Sequence, residues 1–78
     1  MKGGEHKMSK VMFLRRGYGL TQDYVSKKLG ISRPTLSRKE KGKIDWTKGE
    51  METLTKLFKE YDPDCTVEKI FFADNFTI

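Results

Sequence analysis

The segment KKLGISRPTLSR, residues 27–38, constrains the fold more than any other part of the chain. Gly30 closes one helical run, and two residues later Ser32 offers an oxygen to cap the next. Arg33 and Pro34 then fall in the first turn of that second helix, where proline's missing N–H costs nothing because the donor has no partner inside the helix. Pro34 therefore starts a helix rather than breaking one. Gly30 permits a sharp turn, Ser26 is small enough to let the two helices approach, and Val25, Leu29, Ile31 and Leu36 close the contact. On the second helix only Leu36 and something at 39 or 40 face inward. The rows 33, 37, 41 and 34, 38 point outward, leaving arginines, a proline and a serine on the free face.

The rest of the chain supplies helices to seat this pair. Residues 1–8 hold two glycines and no periodicity and are read as a mobile arm, whose Lys2 and Lys7, with Lys10, suit a polyanion. From about residue 9 to 16, Val11, Leu14 and Met12 recur at helical spacing until Gly17 and Gly19 end the run. Thr21 caps helix two, with Gln22 and Asp23 in its first turn. After KGKIDW, the segment TKGEMETLTKLFKEY is the best amphipathic helix. Thr47 and Glu50 form a capping box there, and Met51, Leu54, Leu57 or Phe58, and Tyr61 make the apolar stripe. DPD ends it, Thr66 opens a last short helix over VEKIFF, and the tail ADNFTI, residues 73–78, is either a packed end or part of an interface. The expectation is an all-α domain of five short helices over residues 9–72.

Composition narrows the function. Seventy-eight residues suggest one domain, and a chain of this size buries only about 60% of its unfolded surface, so an oligomer would help it. No apolar run approaches the ~18 residues of a membrane span, and the N-terminus lacks a signal-peptide core, so a cytoplasmic location is expected. Cys65 and His6 are each the only residue of their type. That excludes an internal disulfide or a cysteine-cluster metal site, and Cys65 is read as a passive loop residue. No paired acids, metal cluster or nucleophile with a base is evident, so neither enzyme chemistry, a cofactor nor a small-molecule ligand is expected. Charge is divided: residues 1–43 carry twelve Lys/Arg and three Asp/Glu, net +9, whereas residues 44–78 carry net −4. Such asymmetry suits one face for a polyanion and another for something else.

Two helices joined by a glycine-containing turn of about three or four residues, the second with a basic free face, form a helix-turn-helix pattern that places its second helix in the DNA major groove. Arg33, Pro34, Ser37 and Arg38 are then the candidate base contacts. Arginine matches guanine O6 and N7 with two hydrogen bonds, and proline can touch a thymine methyl. Gln22, Lys41 and Lys43 are placed to meet phosphates.

At these residues a family becomes visible. LRRGYGLTQDYVSKKLGISRPTLSRKEKGK, residues 14–43, resembles the lambda-repressor and Cro type of DNA-binding domain: the L-R-x-x-x-G-L-T-Q opening, the L-G-I-S turn and the E-x-G-K close all occur in register. The likeness continues more weakly to about Phe72. It implies five helices with the third as reader, a homodimer on a roughly palindromic operator in double-stranded DNA, and an internal ion pair between Arg15 and Glu40. Carried over by position, phosphate contacts fall on Gln22, Lys41, Lys43 and Thr47. Ile70, Phe71, Phe72, Phe76 and Ile78 are the apolar residues expected at the dimer surface. Three positions depart from the family pattern. Lys39 replaces an apolar or aromatic residue, so helix three is either seated less deeply or Lys39 snorkels past the core. Trp46 stands where proline is common and is expected to fill the space Lys39 leaves, and Thr55 stands for alanine. The implied function is a sequence-specific regulator, a repressor of the phage or mobile-element kind. The alternatives are a restriction-modification controller protein, an antitoxin, or a protein-interaction module of this fold that has lost DNA binding.

Overall fold

The computed structural model describes residues 9–72. The expected arm over 1–8 and the tail over 73–78, with Phe76 and Ile78, lie outside the described residues. Four α-helices are followed by one π-helical turn: α1 (Lys10–Gly17), α2 (Gln22–Leu29), α3 (Arg33–Glu40), α4 (Lys48–Lys59) and the π-turn (Glu68–Phe72). Among the described residues all regular structure is helical, as expected of an all-α domain.

Each of the four helices begins in the same way. The hydroxyls of Ser9, Thr21, Ser32 and Thr47 accept the backbone N–H three residues on, at 3.1, 3.0, 3.2 and 3.1 Å. Such a cap is worth about 1 kcal/mol, and at α4 it is reciprocal, because Glu50 Oε1 accepts the Thr47 N–H at 2.9 Å. The ends of α1, α2 and α3 are also alike. After α2, Gly30 takes a left-handed conformation (φ 72°), and the N–H of Ile31 reaches back to the carbonyl of Ser26 at 3.0 Å. Gly19 and Gly42 close α1 and α3 with the corresponding bonds, Leu20 to Arg15 and Lys43 to Arg38, both 2.9 Å. Helices of eight residues are unstable alone. Caps at both ends and packing on a shared core hold them.

That core comprises Val11, Val25, Leu36, Leu54, Leu57, Phe58, Cys65 and Ile70, with Leu14, Tyr18, Leu20, Leu29, Ile31, Trp46 and Phe71 packed around it. α2 packs on both α3 and α4, and α1 packs on the π-turn. Leu57 and Phe58 are both buried, so the stripe of α4 is wider than either residue alone would make it. Thr55 is buried too, its hydroxyl donating to the Met51 carbonyl at 2.7 Å.

The last short helix is present, wound as a single π-turn. Several other expectations are corrected. Ile70, expected at a dimer surface, is 5% exposed and belongs to the core. Phe71 is half-buried, its ring edge-on to Trp46 at 5.9 Å, which leaves Phe72 as the exposed member of that set among the described residues. Tyr61 lies outside the apolar stripe because α4 ends at Lys59; it is exposed, its ring stacked on Tyr18 at 5.0 Å. Cys65 is in a loop, as read, but its thiol is a core atom, with the Tyr18 hydroxyl 3.6 Å away. Burial first, then hydrogen bonding and charge from Cys65 and the charge of Asp62, raise the Tyr18 phenol above its ordinary value and keep it protonated.

Candidate nucleic-acid interface

α3 buries Leu36, Lys39 and Glu40 and turns its other side outward. Arg33, Pro34 and Arg38 are exposed and Ser37 is half-buried. Gln22, at the start of α2, joins Arg33, Pro34 and Ser37 around an open cleft of about 400 Å³. The Gly30 turn is what brings the first residue of α2 beside the first turn of α3. Arg38 sits four residues along from Pro34 and extends the same face. Beyond the end of α3, Lys41, Lys43 and Thr47 are exposed. Chemically the face offers guanidinium donors, an ammonium pair, hydroxyls and one apolar ring, while the acid of α3, Glu40, is turned inward and 1% exposed. Such a surface suits an anionic polymer with hydrogen-bonding edges.

The underside of α3 is unusually polar, because Leu36 is its one fully apolar anchor. Arg15 Nε donates to Glu40 Oε2 at 2.6 Å and Nη2 to Oε1 at 3.2 Å, while Nη1 donates to the Leu20 carbonyl at 2.9 Å. Gln22 Nε2 donates to the same Glu40 Oε1 at 3.0 Å. The carboxylate therefore ties α1, α2 and α3 together, and one amide hydrogen of Gln22 is committed to it. A second, largely buried pair lies at 39, with Glu50 the more exposed partner. Lys39, 7% exposed, donates to Glu50 Oε1 at 2.9 Å and to the Asp45 carbonyl at 2.8 Å. Burial pushes the Glu50 carboxyl up, but the Thr47 N–H, then the hydrogen bond and charge of Lys39, outweigh it and hold Glu50 below its ordinary value. Lys39 thus does not snorkel into water; its ammonium is held under α3 by the Asp45 carbonyl and Glu50. Trp46 covers the pair, with its ring centroid 5.9 Å from Lys39 Nζ.

Residues 11–64 match the family model described as helix-turn-helix. The chain belongs to the helix-turn-helix family of the lambda-repressor and Cro type. Comparison with curated proteins and with solved structures gives no match. Membership makes this helix-turn-helix protein a DNA-binding transcription regulator in general. In its helix-turn-helix, α2 is the first helix and α3 the second. No helix among the described residues is long and apolar enough to cross a membrane.

The structure places Gln22, Arg33, Pro34 and Ser37 around one cleft, leaves Arg38 exposed four residues along α3 from Pro34, and leaves Lys41, Lys43 and Thr47 exposed in the stretch that follows. Sequence reasoning missed the Lys39–Glu50 pair of this helix-turn-helix protein. The signal was there: a lysine in the inward row of α3, eleven residues before the acid of a capping box.

Proposed function

We propose that the protein is a sequence-specific repressor that binds a palindromic operator as a homodimer, with α3 in the major groove. The observation that carries this is the cleft between the starts of α2 and α3, where Arg33 and Pro34 stand side by side and exposed beside Gln22 and Ser37. Arg33 and Arg38 meet guanine O6 and N7, Pro34 meets a thymine methyl, and Ser37 bonds a base edge or phosphate. Gln22, Lys41, Lys43 and Thr47 take phosphates and set the register of α3. The hydrogen bond from Gln22 to Glu40 fixes the amide in place for that contact. Phe72, 66% exposed, is the apolar residue of the described chain best placed to meet a second copy, and dimerisation doubles the sequence read.

The reading is tested by selection from a randomised duplex pool, followed by sedimentation of the complex with the selected duplex. An inverted repeat bound by two protomers is expected. A selected site without symmetry, bound by one protomer, would remove the homodimer and the palindrome. A pool that yields no preferred sequence would remove specific regulation altogether.

A further inference from the structure

We propose that Lys39 is a positioning residue for the phosphate-binding edge: a buried strut that holds the loop after α3, and the start of α4, against the reader helix. This rests on the DNA-binding reading above. The ammonium has two anchors of different origin. One is the main-chain carbonyl of Asp45, near the end of the loop, at 2.8 Å. The other is Glu50 Oε1 at 2.9 Å, the same oxygen that accepts the Thr47 N–H and so closes the capping box of α4. Lys39 therefore joins three pieces of chain through one nitrogen: the last turn of α3, the loop over 41–46, and the first turn of α4. Lys41, Lys43 and Thr47, exposed on that same stretch, inherit their positions from it.

Stability alone does not account for a lysine there. A buried ion pair is on average no better for stability than well-packed apolar side chains of the same volume, since both charges must be stripped of water. With the Trp46 ring beside Lys39, an apolar residue at 39 has an apolar surface to pack on. What an apolar residue lacks is direction. It cannot fix where the Asp45 carbonyl points or tether the Glu50 carboxylate, and the phosphate edge depends on both.

The salt dependence of binding separates this role from a merely structural one, because each phosphate contact contributes about 0.9 to the slope of log K against log salt. The probe is the duplex of highest affinity selected from a randomised pool, bound to the full chain well below its unfolding temperature. Lys39→Met is expected to bind it more weakly, with the slope reduced by about 1 to 2 and the preferred sequence unchanged. Lys39→Arg, which still reaches two acceptors, is expected to restore the slope. Should Lys39→Met not fold, Glu50→Ala serves instead: it removes the oxygen that both the Lys39 ammonium and the Thr47 N–H bond, and is expected to lower the slope in the same direction. A folded Lys39→Met, or a folded Glu50→Ala in its place, with wild-type affinity and slope would overturn the strut while leaving DNA binding intact. No preferred sequence for the wild-type chain would overturn both.

Discussion

At the scale of single residues, the geometry separates positions that look alike in the sequence. A Cβ built at Gly30 meets nothing within 4 Å, so substitution there is opposed only by the left-handed backbone (φ 72°). Gly30→Ala is expected to destabilise by about 1 to 2 kcal/mol, and Gly30→Asn by less, because asparagine tolerates that conformation. Urea unfolding of the two variants checks the order; equal losses would point to a clash that the open space rules out. Glu50 makes a prediction in pH. Its folded value lies below the ordinary 4.5, so its contribution is fully present above that value and is lost as the pH falls through the lower folded one. Urea midpoints measured down this acid range should fall more steeply for wild type than for Glu50→Gln. Parallel curves would mean that the carboxylate gains nothing from Thr47 and Lys39.

At the scale of elements, α3 shows how few contacts seat a helix of eight residues. Leu36 is its only fully buried apolar side chain, and Leu36→Ala is expected to cost about 2 to 5 kcal/mol, near the top of the range if the site fails to close. Its other anchors are charged. Arg15→Ala strands the buried Glu40 carboxylate and is expected to cost about 3 to 5 kcal/mol, whereas replacing both partners by methionine is expected to cost far less in urea unfolding. The same elements show why the sequence was legible where it was. Hydroxyl caps at Thr21, Ser32 and Thr47 and glycines at 19 and 30 are local signals, and they place those helix ends. Pro34 and Leu36 likewise fix which face of α3 looks out. The burial of Ile70 and the π-turn are settled by what lies across the core, and no spacing within one element encodes that, whereas the Lys39–Glu50 pair left a signal in the inward row of α3. Tyr61 was misplaced for a related reason, since the apolar period continues past the residue at which α4 stops.

At the scale of the whole molecule, the helices divide the labour. α1, α4 and the π-turn supply most of the core, α2 ties them to α3, and α3 turns out the arginines that its own packing does not use. The charge asymmetry follows the same division: the strongly basic half contains both helices of the helix-turn-helix, and the acidic half contains α4 and the π-turn, away from the reading face in sequence. Family membership makes the chain a DNA-binding regulator, and the central claim beyond that is that exposed side chains of α3 read bases. The most direct test is fluorescence anisotropy with the selected duplex and its single-base-pair variants, comparing wild type with Arg33→Ala and Arg38→Ala. Each arginine variant is expected to lose about 1 to 3 kcal/mol and to become indifferent to the identity of one base pair per half-site. If both variants weaken binding equally on every duplex, changing only the salt slope, the arginines hold phosphates and α3 is not the reader.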